Sequence, residues 1–511
     1  MNKNHSMGGG EKILFLVVWL VVWFALNMAI AVNALRTVTP ISVTVFLMVQ
    51  FLNLGISYGF VQWLFSLFSK PMWPQRLDSL SFHPRVAVLY TTCDDYLEPS
   101  LESLSRLRYP NYDVFVLDDS RTSWYRAAVM EAAEDYGFRV IHRTDREGFK
   151  AGALNKWLSL FAEEYDYFVI VDADSILPED FIECMMLYAE HPNNGDIAVF
   201  QSKLAPWNTD DYLSIAVTGI LPITLWKMDR LLNRYDYLVC WGHNALFRTK
   251  HIVDVGGFSE SFSSEDLALA IDLANSGYRC CLVDVLSFEK FPRTFEEYAR
   301  RGSRWARQAI QLLLYKNKGN LSLTTIVHLF MDVFGYIMPI LFAIGAVLLV
   351  WSGNSSLHDL AFAVPQLSGA PNSAIMFSLV CFYVVSLFLD LPAAVLMKSM
   401  SIKQYFLARW LHVLLGFYSL AGICKGLWEG LVSRRPSFEP TGSSSFEANR
   451  IAIFNMLFMC IFVLVLAGGI LRNPAVIVLN WFWIIPILIT PAGVVWIGAY
   501  RMRALCRREQ G

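Results

Sequence analysis

The chain has 511 residues and a net charge of −2, and 55% of its residues are hydrophobic while only 17% are charged. A mean hydropathy of +0.41 argues against a fully soluble protein; the net charge is uninformative, and binding to nucleic acid is not indicated. Nine cysteines are scattered without a Cys-x-x-Cys pair, which indicates reduced thiols in a cytosolic compartment rather than a disulfide framework.

Two long apolar stretches lie near the start of the chain, at residues 13–33 and 41–68. Each is long enough to span the hydrocarbon core of a bilayer. The first is longer than the core of a signal peptide and is not followed by a small-residue cleavage site. The sequence therefore predicts an N-terminal membrane region over residues 1–76.

Residues 77–293 have a different character, because charged residues become frequent and short apolar runs alternate with segments of helical pattern. This alternation predicts a mostly parallel, Rossmann-like α/β sheet, in a domain that is inserted between membrane segments. The predicted strands are residues 85–90, 113–117, 138–141 and 166–171, and the predicted helices are residues 97–107, 124–136 and 151–161.

Carboxylates follow several of these strands. Asp95 follows the first strand, Asp118 and Asp119 follow the second, and Asp172 and Asp174 follow the fourth. In open α/β sheets, ligands bind at the carboxyl ends of the strands. Side chains two apart on a strand point to the same side, so the last pair is suited to hold Mg²⁺ or Mn²⁺ with a diphosphate. A polar turn after a buried strand is the competing interpretation of this pair taken alone.

An amphipathic helix is predicted at residues 294–316, within a segment of residues 294–320 that follows the α/β region. Spacing of three and four residues puts Arg301, Arg304 and Trp305 on one face of this helix. A basic helix with a tryptophan beside a membrane span is expected to lie in the membrane interface.

The C-terminal region, residues 321–500, is again apolar, and its predicted spans are residues 324–351, 375–397, 450–471 and 476–499. The loop at 352–373 has no Lys or Arg and is expected outside, whereas the basic tail at 501–511 is expected in the cytoplasm. A span at 405–431 would move this tail outside, so that segment is predicted to be interfacial or re-entrant. Asp390, near the cytoplasmic end of one span, is expected to snorkel to the interface. The protein is then expected to be an integral membrane protein, with its α/β domain and both termini in the cytoplasm.

The motifs of the α/β region and of the helix after it occur in an order typical of a known family. They are Thr92 with Asp95, Asp118-Asp119, Lys150-Ala151-Gly152, Asp172-Ala173-Asp174, Gln201-Ser202-Lys203, Gly242-His243, Ser264-Glu265-Asp266 and Arg301-Gly302-Ser303-Arg304-Trp305. This series resembles the membrane-embedded, inverting family-2 glycosyltransferases, the group that contains cellulose, hyaluronan and chitin synthases. The segment 434–445 resembles the gating loop of cellulose synthases. The Trp-Gly-His-Asn-Ala stretch at 241–245 is similar to the bacterial osmoregulated periplasmic glucan glucosyltransferases.

The resemblance implies a GT-A catalytic domain that polymerises a β-glucan from UDP-glucose at the cytoplasmic face and translocates it across the lipid bilayer, which is expected to be a bacterial inner membrane. It implies Asp266 as the catalytic base with Glu265 beside it, and Asp172 and Asp174 as ligands of Mg²⁺ or Mn²⁺. The implied donor-binding residues are Thr92, Asp95, Asp118, Asp119, Lys150, Asp172, Arg304 and Trp305. The implied residues at the growing polysaccharide acceptor are Gln201, Gly242, His243, Arg301 and Trp305.

Three positions depart from the family pattern. Arg301 stands in place of a glutamine, His243 in place of a hydroxyl-bearing residue, and Lys203 in place of a proline. Because the family uses these positions near donor and acceptor, the acceptor, the linkage and processivity stay open. The alternative enzyme functions are transfer of a single sugar to a polyprenyl phosphate or another lipid, and use of UDP-N-acetylglucosamine. A transporter is disfavoured by the lack of paired repeats, and an inactive scaffold by the intact Asp-x-Asp and Glu-Asp motifs.

Overall fold

The structure is a computed structural model. It describes residues 9–34, 40–208, 218–262, 264–292, 295–315, 321–352 and 388–432, together with isolated positions at 214–215, 319, 385–386, 464–465, 467–468 and 471. The predicted gating-like loop at 434–445, the span at 476–499 and the tail at 501–511 lie outside the described residues, as do about half of the span at 375–397 and most of the span at 450–471.

The strands and helices of the described residues alternate through the middle of the chain. The strands are β1 (Val86–Thr92), β2 (Tyr112–Asp118), β3 (Arg139–His142), β4 (Tyr167–Asp172), β5 (Ser175–Ile176), β6 (Ile197–Pro206), β7 (Ala245–Arg248) and β8 (Arg279–Glu289). The helices are α1 (Gly9–Ala34), α2 (Pro40–Phe68), α3 (Glu98–Ser105), α4 (Ser123–Tyr136), α5 (Phe149–Phe161), α6 (Phe181–Ala189), α7 (Leu221–Leu231), α8 (Thr249–Asp254), α9 (Glu265–Asn275), α10 (Phe295–Leu314), α11 (Leu323–Ser352), α12 (Asp390–Leu396) and α13 (Ile402–Val432).

The strands form one sheet in the order β3-β2-β1-β4-β7-β6-β8-β5. The pairings from β3 to β4 are parallel, as the sequence predicts. The second half of the sheet is mixed, because β7 runs antiparallel to both β4 and β6, and β5 runs antiparallel to β8. The parallel half resembles a Rossmann sheet, and the antiparallel β7 joins it to the rest of the domain.

The predicted strands and helices of this region are present with shifts of one to two residues at their ends. The most useful shift concerns the strands, because β1 and β2 extend to Thr92 and Asp118. The polar motif residues therefore belong to the last positions of the strands and are held by the sheet's backbone hydrogen bonds. A position fixed by a sheet is more rigid than one in a free loop.

Hydrophobic side chains cover both faces of the sheet. On one face, Val88 and Val116 pack with α6 residues such as Phe181, and on the other face Leu89 and Phe115 pack with Trp157 of α5. Burial of each large apolar side chain contributes about 1.5–3 kcal/mol. Two packed layers of helix therefore hold the sheet, and its carboxyl edge is left for polar groups.

Two described helices are long and apolar enough to cross a membrane, over Gly9–Met28 of α1 and Phe46–Phe68 of α2. The predicted span at 324–351 is a 30-residue helix, α11. The predicted interfacial segment at 405–431 lies within α13, a single helix of 31 residues. Because α13 is continuous, the segment contains no reversal of the chain, which a re-entrant segment requires.

The expectation that Asp390 snorkels to the interface is wrong. Its side chain is buried and accepts hydrogen bonds from Trp63 Nε1 at 2.8 Å, Lys227 Nζ at 3.2 Å and Arg409 Nη2 at 2.5 Å. A buried carboxylate is stabilised when cations and hydrogen-bond donors surround it. These contacts tie α2, α7, α12 and α13 together at one point.

Candidate active site

The carboxyl ends of β1, β2 and β4 lie side by side and bring the polar motifs together. In the register of the sheet, Thr92 is opposite Asp118 and Thr91 is opposite Asp172. Parallel strands in register end at one edge, so their last side chains face a common space. The expectation that these motifs gather along one edge of the sheet is met by the structure.

Asp172 is half-buried, and one of its oxygens is engaged by two neighbours. Lys150 Nζ is 2.5 Å from Asp172 Oδ1, and Thr91 Oγ1 donates to the same oxygen at 3.0 Å. Burial raises the pKa of this carboxyl, but the charge of Lys150 and these hydrogen bonds outweigh burial and lower the pKa to about 2. Asp172 is therefore ionised at neutral pH.

Asp174 lies in the turn between β4 and β5, and its backbone is fixed from two sides. Its carbonyl accepts hydrogen bonds from Trp207 Nε1 at 3.0 Å and from the Lys290 amide at 3.0 Å. Burial, followed by the charges of Asp172 and Glu289, raises the pKa of its carboxyl to about 6. A raised pKa marks a carboxylate that gains stability when a cation binds it.

The two carboxylates fit a divalent cation that is shared with a ligand. Hydrogen bonds from described residues reach only Oδ1 of Asp172 and neither carboxyl oxygen of Asp174. Among the described residues no group of three or more His, Cys, Asp or Glu side chains converges as a metal site. Mg²⁺ is commonly held by one or two carboxylates, with water and substrate phosphates as the remaining ligands. The donor set therefore suits Mg²⁺ or Mn²⁺ bound together with a diphosphate.

The segment after β1 forms a compact acidic loop. Asp95 Oδ1 accepts hydrogen bonds from Thr92 Oγ1 at 3.0 Å and from the Cys93 amide at 2.7 Å. Burial raises the pKa of Asp95 to about 6, and the neighbouring charge of Asp172 adds to the increase. The predicted pair Thr92 and Asp95 is therefore one unit, held beside the Asp-x-Asp turn.

Asp118 and Asp119 are both engaged by residues that the sequence analysis did not identify. His142 Nδ1 is 2.8 Å from Asp118 Oδ2. Arg143 contacts Asp119 in a bidentate pair, with Nε to Oδ1 at 2.8 Å and Nη2 to Oδ2 at 2.5 Å. The available signal was the basic His-Arg pair at the end of the third predicted strand, because β3 is parallel to β2 and places His142 opposite Asp118.

Asp266 lies in the first turn of α9, opposite the loop after Cys240. Its Oδ1 accepts hydrogen bonds from Ser264 Oγ at 2.7 Å and from the Leu267 amide at 2.8 Å. Gly242 faces it with φ +76°, and a Cβ at this glycine would be 2.9 Å from the Asp266 Cβ. Burial, and then the charge of Asp266, raises the pKa of the neighbouring Glu265 to about 7.

Lys150 links the two acidic groups of the site. Its ammonium contacts Asp172 Oδ1 and donates to the carbonyl of Gly242 at 3.1 Å. Gly242 in turn packs on Asp266. The Asp-x-Asp turn and the start of α9 are therefore on two sides of one cation, although Asp172 and Ser264 are 92 residues apart in the sequence.

Helix α10 brings its basic and aromatic residues to the same region. Arg301 Nη2 is 2.5 Å from Glu289 Oε1, and its guanidinium lies 4.6 Å from the centroid of the Trp305 ring. Burial and the charge of Arg301 lower the pKa of Arg304, while attraction to Asp172 and other carboxylates of the site opposes that decrease. The predicted face of α10 thus adjoins the acidic site.

Glu289 is a buried carboxylate that the sequence analysis missed. It ends β8, and besides Arg301 it contacts His243 Nε2, at 3.4 Å from Oε2. His243 and Arg301, two of the three departures from the family pattern, therefore both contact the side chain of Glu289. The sequence signal was weak, because a single glutamate after an apolar strand has many interpretations.

Gln201 does not reach the open site as the acceptor assignment requires. It is fully buried, its Nε2 donates to the His243 carbonyl at 3.0 Å, and its Oε1 accepts from the Trp241 amide at 2.9 Å. Both ends of its amide are used by the backbone of the 241–244 loop. Gln201 therefore supports the loop that carries Gly242 and His243.

Comparisons with known proteins agree with this geometry. Residues 167–397 match the model of the glycosyl transferase family group 2, a range that includes the Asp-x-Asp turn, α9 and α10. The glucans biosynthesis glucosyltransferase H of Caulobacter vibrioides is 26% identical over 394 residues, which are 68% of this chain and 57% of that protein. The probable glucomannan 4-beta-mannosyltransferase 7 of Oryza sativa is 25% identical over 218 residues, which are 40% of this chain and 37% of that protein.

Among solved structures, the mannosyltransferase PcManGT from Pyrobaculum calidifontis, in complex with GDP-Man and Mn²⁺, is similar. It is 18% identical with a TM-score of 0.48, and the alignment covers 79% of this chain and 99% of that one. The chain spans little more than half the length of the Caulobacter relative. The family match over residues 167–397, the mixed sheet and the acidic site at its carboxyl edge agree with one another: this part of the chain is a glycosyltransferase domain similar to family group 2, with a GT-A-type fold.

Proposed function

We propose that the protein is a processive, inverting glycosyltransferase that polymerises a β-glucan from UDP-glucose at the cytoplasmic face of the membrane and translocates the product. The observation that carries this proposal is the position of Lys150 between two acidic groups. Its ammonium contacts Asp172 and the carbonyl of Gly242, and Gly242 packs on Asp266. This arrangement supports a leaving-group site and a base on two sides of one space.

The chemistry is a single displacement at the anomeric carbon of the donor sugar. An acceptor hydroxyl forms the new bond to this carbon while the bond to the diphosphate oxygen breaks. Asp266 accepts the hydroxyl proton, and a positioned general base contributes about 10²–10⁴-fold to the rate. The diphosphate leaves with the bond electrons, so cationic groups must stabilise it.

Lys150 and Arg304 are the protein cations that serve the leaving group. Asp172 and Asp174 would hold Mg²⁺ or Mn²⁺, and a metal in this position supplies charge stabilisation for a leaving diphosphate. The low pKa of Asp172 keeps one ligand ionised across the physiological range. The bidentate geometry available to a guanidinium suits Arg304 to a phosphate group.

The remaining assignments follow from position. Thr92, Asp95, Asp118 and Asp119, at the ends of β1 and β2, are assigned to the uridine part of the donor. Glu265 lies beside the proposed base and is assigned to the acidic group at which the proton is transferred. Trp305, Gly242, His243 and Arg301 are assigned to the acceptor, because an aromatic face suits the apolar face of a sugar. Gln201 is assigned an indirect role, through the loop that it holds.

Two kinds of observation support a membrane-embedded glucan synthase. Helices α1 and α2 have the length and composition of membrane spans. A relative that aligns with 68% of this chain is named a glucosyltransferase of glucan biosynthesis. Another relative is named a mannosyltransferase, so GDP-mannose belongs in every donor comparison beside the UDP-sugars.

The test uses the purified full chain in lipid nanodiscs with Mn²⁺ or Mg²⁺ and radiolabelled donors. UDP-glucose, UDP-N-acetylglucosamine and GDP-mannose are compared, and products are sized and digested with a β-glucanase. We expect a digestible polymer from UDP-glucose alone. Label that appears only in a lipid fraction, as a single sugar, would refute processive synthesis, and turnover of another donor alone would refute the choice of glucose.

The base assignment is tested with the Asp266→Asn variant. Transfer should fall by about 10²–10⁴-fold because the amide accepts no proton. Binding of UDP with Mn²⁺, followed by thermal shift, should be retained because Asp172 and Asp174 are unchanged. Near-normal turnover by this variant would show that another group is the base.

A further inference from the structure

Helix α10, which carries Arg304 and Trp305, is held against α13 by a buried ion pair outside the acidic site. Arg307 and Glu429 contact each other in bidentate fashion, with Nε to Oε2 at 2.7 Å and Nη2 to Oε1 at 2.8 Å. Gln311 Nε2 donates to Glu429 Oε2 at 2.8 Å. Both charged side chains are about nine-tenths buried, at 8% and 10% exposure. A buried carboxylate with three donors defines one geometry rather than several.

Two glycines of α13 allow its backbone to touch α10 directly. A Cβ at Gly422 would be 2.0 Å from the Ser303 carbonyl oxygen, and one at Gly426 would be 2.7 Å from the Arg307 carbonyl oxygen. Small residues four apart let two helices approach closely. The contacts at Ser303 and Arg307 lie on both sides of Arg304 and Trp305 in the sequence of α10.

The rotation of α10 about its own axis matters because only a narrow face of this helix carries the residues that adjoin the acidic site. Arg301 contacts Glu289, and Arg304 is close enough to Asp172 for their charges to interact. A turn of the helix by one residue, about 100°, would move both side chains away from the acidic site.

We infer that Glu429 is a positioning residue for transfer. Through Arg307 it fixes the rotation of α10 about its axis and its position along that axis, and so aligns Arg304 and Trp305 with the reacting sugar. Glu429 lies on a helix of the C-terminal membrane region, 122 residues after Arg307. The assignment rests on the proposed function for the role of α10. The inference implies that sugar transfer by the catalytic domain requires α13 to be packed against α10.

The test compares Glu429→Gln with a matched control, Asp196→Asn, in the full chain in nanodiscs with UDP-glucose. Asp196 and Arg279 form a bidentate pair at 2.6 and 2.8 Å, but it is exposed and lies at the opposite, amino-terminal ends of β6 and β8. We expect Glu429→Gln to lower kcat by about 10²-fold, as a displacement near 1 Å does, and to raise the donor KM because Arg304 is assigned to the donor phosphate. The control should keep both constants.

A second variant covers the case in which Glu429→Gln leaves Arg307 buried without its partner and prevents folding. The double variant Arg307→Leu with Glu429→Leu removes both charges, and such replacements of buried pairs commonly fold. It should keep the melting temperature while still lowering kcat by at least about tenfold, because leucines do not define one rotation of α10. Wild-type kcat in either folded variant, or an equal loss in Asp196→Asn, would overturn the inference.

A substrate-free measurement separates this inference from the proposed function. Hydrogen–deuterium exchange of amides 300–308 should accelerate in Glu429→Gln and stay unchanged in Asp196→Asn. Unchanged exchange in Glu429→Gln would overturn the inference even if the enzyme is active. A wild-type chain that transfers no glucose from UDP-glucose would refute the donor assignment, and the exchange experiment would still decide the role of Glu429.

Discussion

Replacing Gly242 with alanine should disable transfer by displacing Asp266, the proposed base. Gly242 has φ +76°, and a Cβ there would be 2.9 Å from the Asp266 Cβ and 3.1 Å from its Oδ2. Carbon atoms in good contact are about 3.5–4.0 Å apart, so one group must move by about 0.6 Å or more. Asp266 cannot yield without cost, because Ser264 and the Leu267 amide hold its Oδ1.

The size of the effect follows from these distances. A left-handed backbone costs an alanine about 1 kcal/mol relative to glycine, and this cost lowers stability without touching catalysis. A displacement of a catalytic group near 1 Å costs about 10²-fold in rate. We therefore expect kcat to fall by about 10²-fold, while the KM for UDP-glucose changes little because the β1 and β2 residues are not moved.

The assay is initial-rate transfer from radiolabelled UDP-glucose, with thermal unfolding of each variant measured in parallel. Gly137→Ala is the matched control, since Gly137 also has a left-handed φ of +70° but a Cβ there would meet nothing within 4 Å. Both variants should lose similar stability, and only Gly242→Ala should lose activity. If Gly242→Ala kept half of the wild-type kcat, or if Gly137→Ala lost as much activity, the steric argument about Asp266 would be refuted.

Two further predictions concern the cation and the metal. Lys150→Met should lower kcat by about 10²-fold, because it removes the cation proposed to stabilise the leaving diphosphate, and Lys150→Arg should recover part of the loss; equal rates for wild type and Lys150→Met would contradict this role. Mn²⁺ affinity, measured by electron paramagnetic resonance between pH 5 and 8, should be constant above about pH 7 and weaken by about tenfold per unit below pH 6. The sign follows because the pKa of Asp174 is raised to about 6, so a fall in pH protonates it, whereas Asp172, with a pKa of about 2, stays ionised. Affinity that did not depend on pH between 5 and 7 would exclude Asp174 as a ligand.

Local pattern was enough to predict the part of the fold that carries the acidic motifs. Strands β1, β2 and β4 are short, continuous apolar runs that end at polar residues, and their helices have the expected spacing. The antiparallel strand β7 was not predicted. It has four residues, and its pairing with β4 and β6 depends on a return of the chain after a long excursion.

The motif residues show the same division. The order of the motifs predicted which side chains belong to the candidate site. Their contacts in the structure show that some of them face the site, whereas others hold the surrounding backbone. Gln201 matches a motif, yet it is fully buried and holds backbone. Arg143 and Glu289 match none, yet each contacts a residue of the predicted site.

The amino-acid sequence by itself thus determined the alternation of strands and helices, the apolar segments, and the acidic residues at the strand ends, because these depend on neighbours in the chain. Only the tertiary structure decided which carboxylates have both oxygens engaged by the protein and which keep one oxygen without a described partner. Asp172 keeps one oxygen without a described partner, whereas Asp119 and Glu429 are occupied by Arg143 and Arg307. The side chains are chemically alike, and their partners lie 24 and 122 residues away, so folding alone brings them into contact.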